Sequence, residues 1–363
     1  MAQGRIGLWH LALSNRNWHA HGKPQPVTSH SNALHPSLQG QRFVFASAAS
    51  NLDIWSVPLD ADQARVTGVP ERLTGHAAED FCPSVSMDGR TLVFLSKRAG
   101  GTSLWKKSLP GGREIELGRT PVPSNRLKIS ADGKWAVYRV MEQSDPQIAA
   151  SPFRKQAIYA TRLDTGETRR VCVDCGAPTH ITPDGRLVLY ETGSTIAKLG
   201  ALRVATGEKW EFLQHSHHPL RAARVSPGGA WLALHLNRGL DGRQIYVVPF
   251  LDASPTPERN WTPITESTGA HEEPWWSPNG RYLYYLSDRD GWRCVWAQKF
   301  DARTGRAGEP VPIQHFHQAR RSPLSFVKRD PLYVGLSVAQ DRLVVTLAEI
   351  TSNIWLADIG VAR

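Results

Sequence analysis

One short motif recurs along almost the whole chain and constrains its fold more than any other feature. The motif is a Ser or Thr, two further residues and a Gly, followed by an apolar run rich in β-forming residues. Its glycines are Gly40, Gly89, Gly133, Gly185, Gly229 and Gly280. Successive glycines are 49, 44, 52, 44 and 51 residues apart, and a degraded copy ends 60 residues later at Gln340. A period of about 40–50 residues is typical of a four-stranded propeller blade.

Each repeat contains the other elements of such a blade. Pairs such as Asp88-Gly89 supply the positive φ that a tight hairpin between the first and second strands needs. Third strands are predicted at the aliphatic–aromatic pairs Ile54-Trp55, Leu104-Trp105, Ile158-Tyr159, Ile245-Tyr246, Val295-Trp296 and Ile354-Trp355. The 13 Trp among 363 residues are largely explained by large rings that pack between neighbouring sheets.

We therefore predict an all-β fold, a β-propeller of four-stranded blades, with seven blades favoured and six or eight as the alternatives. The Ser-Pro-Asp-Gly type of turn, the apolar second strand and the Ile-Trp pair resemble the TolB-like, WD40-like propeller repeats of bacterial proteins. The run from Asp341 to Leu356 is similar to the end of bacterial proteins that join a winged-helix DNA-binding or kinase domain to a membrane span and a repeat region. This resemblance implies a sensor or scaffold, extracytoplasmic (periplasmic) if an upstream region precedes the chain.

The two ends of the chain do not divide evenly into blades. Residues 1–29 are predicted to contain partial blade strands, and residues 30–363 the propeller repeats as a single domain. Since the last repeat has no fourth strand of its own, residues 24–29 are predicted to supply it and to close the ring. Residues 5–13 are then surplus, which indicates a native gene product that begins earlier. The alternative is a fragment whose first strands belong to a broken blade.

The loops that lead into each first strand are expected to open at one mouth of the central channel, where binding residues concentrate. Nine of the 14 His lie in these loops. This enrichment predicts a binding funnel, and the alternative interpretation is a set of merely solvated polar loops. The predicted ligand-binding residues are His76, Glu79, Asp80, Asn125, His180, His218, Arg221, His271, Glu272, Glu273 and Arg320.

Metal-binding signals in the sequence are weak, so no metal and no cofactor is predicted. The segments His215-Ser216-His217 and His315-Phe316-His317 each place two imidazoles on one side of an extended strand, without a fixed third ligand. The segment Cys172-Val173-Asp174-Cys175 lacks the second pair that a zinc ribbon needs, and is predicted as a local disulfide or as loop thiols. Cys82 is predicted in the core.

Sequence signatures of common enzymes are missing, because there is no GxSxG elbow, HExxH, Walker loop or dinucleotide fingerprint. We therefore predict a non-enzymatic binding or scaffold module that recognises a protein, a peptide or a small polar ligand at one channel mouth. The alternative is a hydrolase or lyase with His and carboxylates there. The net charge of +10 is dispersed without a recognised motif, which does not favour nucleic-acid binding. No membrane span and no signal peptide is predicted.

Overall fold

The computed structural model describes residues 8–14, 16, 19–27, 33–40, 42–119, 126–142, 155–192, 196–239, 242–317, 320–323 and 335–358. Within these residues the chain forms 29 strands and two short 3-10 turns, and no α-helix. None of the helical segments in this described part is long and apolar enough to cross a membrane.

The strands are arranged in sheets that follow one another along the chain. The first six strands are β1 (Trp9–Leu13), β2 (Ala20–Pro26), β3 (Ala33–Gln39), β4 (Arg42–Asp60), β5 (Arg65–Val66) and β6 (Glu71–Arg72). Sheet I contains β7 (Asp80–Val85), β8 (Thr91–Ser96), β9 (Ser103–Ser108) and β10 (Glu114–Arg119). Sheet II contains β11 (Leu127–Ile129), β12 (Trp135–Glu142), β13 (Lys155–Arg162) and β14 (Thr168–Val173). Sheet III contains β15 (Ala177–Ile181), β16 (Leu187–Glu191), β17 (Leu199–Arg203) and β18 (Lys209–Leu213).

Two further four-stranded sheets and a closing sheet complete the fold. Sheet IV contains β19 (Leu220–Val225), β20 (Trp231–Asn237), β21 (Arg243–Pro249) and β22 (Thr262–Pro263). Sheet V contains β23 (His271–Trp276), β24 (Tyr282–Ser287), β25 (Cys294–Asp301) and β26 (Arg306–Gln314). The last strands are β27 (Arg321–Ser322), β28 (Leu336–Val338) and β29 (Arg342–Asp358), which join β3 to β6 in a seven-stranded sheet.

The inner strands of these sheets form a ring. They contact one another in the order β7, β11, β15, β19, β23, β28 and back to β7. Six hydrophobic clusters fill the gaps between neighbouring sheets. Because both faces of a sheet are covered, second strands are apolar at successive residues: Leu92 and Phe94 pack against the closing sheet, and Val93 and Leu95 against sheet II.

The closing sheet is built from both ends of the described chain. Its inner strands are β28 and the first half of β29, and its outer strands are the second half of β4 and then β6. The pairing of β29 with β4 continues from Arg342↔Pro58 to Asp358↔Arg42, so both strands run past the ring. Residues 33–50 and 349–358 lie beyond it, and we refer to these residues as the extension.

The predicted β-propeller of four-stranded blades is confirmed. The described strands form seven sheets, and six of these sheets contribute an inner strand to the ring. The six repeat glycines all have a positive φ, between 60° and 74°, as the tight hairpins require. Cys82 is buried in the core as predicted, and Cys172 and Cys175 form the local disulfide that was one of the two predicted alternatives.

Two hairpins that the repeat pattern predicts are replaced by continuous strands. Phe43–Phe45 and Ile54-Trp55 are predicted on separate strands, but both lie on β4. The residues between them, 46–51, include no Gly or Pro, so nothing forces a turn there and the strand continues. For the same reason Ile354-Trp355 lies on β29 together with the second strand of its repeat.

The ring is therefore closed by residues 52–60 and 71–72 rather than by residues 24–29. Residues 24–26 lie on β2, which pairs with β1 in a separate two-stranded sheet. Every residue of β2 is exposed and two of them are Pro, so this strand offers neither an apolar face nor a full set of N–H donors. Residues 28 and 29 lie outside the described residues, and the division of the chain at residue 29 stays a prediction.

Candidate functional site

The next-to-last residue of every inner strand lies at the same level of the ring. These six residues, which we call the channel ring, are Ser84, Lys128, His180, Arg224, Trp275 and Ser337. The hydroxyls of Ser84 and Ser337 each accept a backbone N–H of the neighbouring inner strand at 3.1 Å. Trp275 Nε1 donates to a backbone carbonyl of β28 at 3.0 Å, and Arg224 donates to the Thr179 carbonyl. The channel ring thus ties the inner strands together.

Three neighbouring members of the channel ring are basic. Lys128 and Arg224 are only 6% and 1% exposed. Burial, reinforced by the charge of Arg224, lowers the pKa of Lys128 to about 7. Burial likewise lowers the pKa of Arg224 to about 10, and burial beside these two cations holds the pKa of His180 well below its usual value. All three pKa values are lowered, so this level of the channel disfavours further positive charge.

One edge of the Arg224 guanidinium makes no hydrogen bond within the described residues. Its Nη1 donates to two backbone carbonyls, but Nε and Nη2 have no hydrogen-bond partner in the described residues. The Oε2 of Glu273 lies 3.8 Å from Nη2, and the guanidinium carbon lies 4.6 Å above the ring of Trp275. Nε and Nη2 form the edge through which an arginine binds a carboxylate with two parallel hydrogen bonds.

A cavity of about 60 Å³ lies at this level of the channel. Lys128, His180, Arg224 and Trp275 line it together with residues of the repeat turns such as Pro227. The cavity is therefore at the end of the ring that carries these turns, opposite to the predicted mouth. A water molecule takes up about 30 Å³ in the liquid, so the space suits a carboxylate group or a few waters.

A second charged level lies nearer the predicted mouth. Glu191 accepts a hydrogen bond from Arg221 at 2.8 Å, and its Oε2 lies 3.5 Å from Arg126. Arg126 also lies 3.4 Å from Glu273. Burial alone would raise the pKa of Glu191, but the charges of Arg126 and Arg221 outweigh burial and hold this pKa below its usual value. The Glu191 carboxylate is thus held ionised between two arginines, and Glu273 lies within ion-pair distance of Arg126.

Bulges in the inner strands help to build this second level. Cys82, Ala222 and Glu273 have φ values of 53°, 52° and 52°, each at a shift in the register of its inner strand. A non-glycine residue in this region costs about 1–3 kcal/mol. The bulges release backbone N–H groups from the strand ladder: that of Ala222 donates to Glu191 at 3.0 Å, and that of Glu273 to His235 at 3.4 Å.

The structure brings three of the predicted site residues to the channel, namely His180, Arg221 and Glu273. Two other predicted residues are buried beside it in ion pairs. Asp80 lies 2.7 Å from Arg98, and Glu272 pairs with Arg293 and, at 3.1 Å, with Arg243. These carboxylates do not project into solvent, so the predicted mouth is a network of ion pairs rather than a set of free acids.

The remaining predicted residues serve local structure or surface. The Nδ1 of His76 accepts the N–H of Ala78, and Glu79 pairs with Lys97 at 2.6 Å. His271 is buried, with hydrogen bonds to Ser287 and to a backbone carbonyl at 2.8 and 2.9 Å.

The other three predicted residues are His218, Arg320 and Asn125. The backbone N–H of His218 donates to Nδ1 of His215 at 3.1 Å, and Arg320 is exposed. Asn125 lies outside the described residues.

Lys128, Arg224 and Glu191 are not among the predicted site residues, all of which were expected in loops. Lys128 and Arg224 lie inside first strands, each flanked by apolar residues, at a fixed distance before a repeat turn. A basic side chain five residues before the repeat glycine, as at Lys128, His180 and Arg224 in three successive sheets, is the signal that identifies the channel ring. Glu191 ends a second strand, and nothing local in the sequence marks it.

Comparisons with known proteins identify relatives of the fold. No protein-family model matches the sequence, and no curated protein matches it either. The structure is similar to a TolB structure from Agrobacterium tumefaciens, with a TM-score of 0.57 and 17% identity over 84% of this chain and 99% of that chain. It is also similar to TolB from Acinetobacter baumannii, with a TM-score of 0.52 and 14% identity over 84% of this chain and 66% of that chain.

A third similar structure is an oligogalacturonate lyase in complex with manganese, with a TM-score of 0.50 and 13% identity over 88% of this chain and 96% of that chain. At these identities the likeness shows the fold alone. The chain is therefore a TolB-like β-propeller in architecture, and its function has to be argued from its own residues.

Proposed function

We propose that this protein is a non-enzymatic binding module whose channel accepts the carboxylate of an acidic peptide. The observation that carries the proposal is the Nε and Nη2 edge of Arg224, which is buried beside Lys128 and His180 and makes no hydrogen bond within the described residues. A buried guanidinium edge without hydrogen bonds is costly, and a carboxylate is the group that satisfies both of its donors at once.

The charges along the channel support an anionic ligand. The two levels together hold Arg126, Lys128, Arg221 and Arg224 against the two carboxylates of Glu191 and Glu273. A ligand carboxylate would reduce this excess of positive charge and would raise the lowered pKa of Lys128 towards its usual value.

The size of the cavity suits the end of a glutamate side chain. Its volume of about 60 Å³ accommodates a carboxylate, with the rest of the ligand outside. The rest of the ligand must then lie over the turn-bearing face of the ring, as the backbone of a polypeptide would. The Trp275 ring beside the guanidinium offers an apolar contact for the stem of a glutamate side chain.

The resemblance to bacterial proteins with a winged-helix or kinase domain belongs to the same proposal. In proteins that join a winged-helix or kinase domain to a membrane span, a ring of this kind would be the extracytoplasmic sensor, and an acidic peptide its signal. The genomic sequence upstream of Met1 tests this context, because the proposal expects such a domain there.

The alternative of a hydrolase or lyase at the predicted mouth has less support. Glu191, Glu272 and Glu273 each lie within ion-pair distance of arginines, and His271 uses both ring nitrogens in hydrogen bonds. A general acid or base must reach a substrate, and these groups are engaged with the protein.

Binding of a short glutamate-rich peptide, measured by isothermal titration calorimetry, tests the proposal. The glutamine counterpart of the peptide should bind much more weakly. Arg224→Met should weaken binding by at least about tenfold, because a charge-assisted hydrogen bond contributes about 1.5–3 kcal/mol. Binding should strengthen as the pH falls through 7, where Lys128 gains its charge.

The matched control is Arg303→Met, because the Arg303 side chain is 92% exposed on a hairpin away from the channel. This variant should bind like the wild type. Circular dichroism establishes that Arg224→Met folds, and Arg224→Lys, which keeps the charge but loses the two-donor edge, gives a second variant with weakened binding. Equal binding of the glutamate and glutamine peptides would overturn the proposal, as would tighter binding of a single-stranded oligonucleotide.

A further inference from the structure

Four side chains that commonly bind metals converge at one end of sheet V. They are Asp290, Cys294, His315 and His317, and one donor atom of each lies within 4.8 Å of those of the others. The Oδ2 of Asp290 lies 2.9 Å from Nδ1 of His315 and 2.8 Å from Nε2 of His317. The structure describes no other group of three or more His, Cys, Asp or Glu that meets this distance within its residues.

The backbone around the cluster explains why these side chains meet. His315 and His317 flank Phe316 just after β26, and their two rings lie 4.6 Å apart while Phe316 enters the core. The backbone N–H of Phe316 donates to Sγ of Cys294 at 3.4 Å, which fixes the sulfur against this segment. Asp290 Oδ1 accepts the N–H of Trp292 at 3.2 Å, so the carboxylate presents its other oxygen to the histidines.

We propose that these four side chains form a zinc site. One sulfur, two imidazole nitrogens and one carboxylate oxygen suit Zn²⁺, whereas Mg²⁺ and Ca²⁺ prefer sets made of oxygen alone. On binding, the thiol of Cys294 loses its proton to solvent as the Zn–S bond forms. His315 binds through Nδ1 and His317 through Nε2, each with the remaining ring proton on its other nitrogen.

The four ligands are typical of a structural zinc site, and the histidine side of this site is open to solvent. Four protein ligands complete the tetrahedral coordination of Zn²⁺ and leave no position for a substrate. Cys294 is fully buried, while the His315 and His317 side chains are 42% and 46% exposed. The ion therefore enters from the histidine side and comes to rest against the sulfur.

Zinc at this position would fasten two segments of sheet V to each other. Asp290 belongs to the loop of residues 288–293 that joins β24 to β25, and the histidines follow the end of β26. Arg293, the neighbour of Cys294 on this loop, is the residue that pairs with the buried Glu272 at the predicted mouth. The site would thus hold a corner of the mouth in place, independently of what the channel binds.

Metal titration of the full chain, freed of metal by a chelator, tests the proposal. We expect one Zn²⁺ per chain. Co²⁺ in place of Zn²⁺ should give the absorption of a tetrahedral ion together with a thiolate-to-cobalt charge-transfer band. Absence of stoichiometric Zn²⁺ binding, or a cobalt spectrum without the thiolate band, overturns the proposal.

Variants then identify the ligands. Cys294→Ser should abolish the charge-transfer band, and His317→Gln should weaken Zn²⁺ binding by at least about 100-fold, since loss of even an outer partner costs 10–100-fold. His317 is half exposed, so its variant keeps the fold if the buried cysteine variant does not. Unchanged Zn²⁺ affinity in folded His317→Gln contradicts the site.

Three matched controls use other residues of the same kinds. His217→Gln alters the second His-x-His segment, where Nδ1 of His215 already accepts two backbone N–H groups. Cys82→Ser removes the other buried thiol that is not part of a disulfide. The double variant Cys172→Ser/Cys175→Ser removes the disulfide pair. All three should bind Zn²⁺ like the wild type, and loss of binding in the double variant would place the metal at that pair and overturn the proposal.

Discussion

The ring and the extension contain the same Ile-Trp pair with opposite outcomes. Ile54 on β4 is fully buried, whereas Ile354 on β29 is 82% exposed. Both residues lie on the same long pair of strands and both are paired to a partner strand. The difference is that Ile54 packs against sheet I, while Ile354 lies where the strands have run past the ring. Pairing to a neighbouring strand therefore does not by itself bury a side chain, and burial depends on cover from another part of the chain. Within the extension, Phe43 and Phe45 are buried where Leu8 packs against them.

Removing the closing strands is the strongest way to test this contrast. A chain that ends at residue 334 lacks β28 and β29, so Ile54 and the facing residues of sheet I lose their cover. We expect this chain to lose cooperative thermal unfolding, and calorimetry measures the loss. A chain that ends at residue 348 keeps the ring half of β29 and should unfold cooperatively within a few degrees of the full chain. Equal behaviour of the two truncations would show that the ring does not depend on this closure.

A single side chain makes the same test at smaller scale. Ile54→Ala leaves a cavity in a covered core and should lower the free energy of unfolding by about 2–5 kcal/mol. Ile354→Ala removes the same atoms from an exposed position and should change it by less than about 0.5 kcal/mol. Urea denaturation measures both values. Comparable losses would mean that the extension is covered in solution.

The third test concerns two lysines and depends on pH. Lys128 of the channel ring is buried, with its pKa lowered from 10.5 to about 7, so between these values the unfolded chain binds a proton that the folded chain does not. Stability of the wild type therefore rises as the pH increases from 7, by up to about 1 kcal/mol per unit. Lys128→Met removes this dependence, so its gain in stability over the wild type is largest at pH 7 and shrinks towards pH 10.

Lys23→Met provides the control in the exposed strand β2. Urea denaturation at several pH values should give parallel curves for this variant and the wild type. A Lys128→Met curve that is also parallel to the wild type would show that Lys128 is hydrated in the folded protein.

The sequence predicts those structural features that depend on residues close to one another in the chain. The positive φ of Gly89 or Gly280 follows from a local turn, so the hairpins and the repeat were predictable. The pairing of β4 with β29 joins residues almost 300 positions apart, and it depends on the missing turn at residues 46–51. No local rule chooses between that pairing and closure by residues 24–29.

The candidate sites were less predictable than the fold for a related reason. Along the sequence, Arg224 is simply one of two arginines in a short strand. Only the closed ring places it near Lys128. At the proposed zinc site, the pairing of Val295 with Gln314 brings Cys294 next to His315, and a bulge shifts this register directly afterwards. Spacing in the sequence does not encode such shifts, so four ligands were visible only as an isolated His-x-His segment.

The long pairing of β4 with β29 also has a mechanical consequence. The beginning of β4 and the end of β29 lie side by side at the far tip of the extension, where residue 42 is opposite residue 358 in the strand register. A force that pulls residues 42 and 358 apart therefore loads the hydrogen bonds of this pair one after another, because these bonds lie across the strands. Tension would separate the paired strands of the extension first. The separation would reach the closing sheet of the ring only after the pairing around residue 349 is broken.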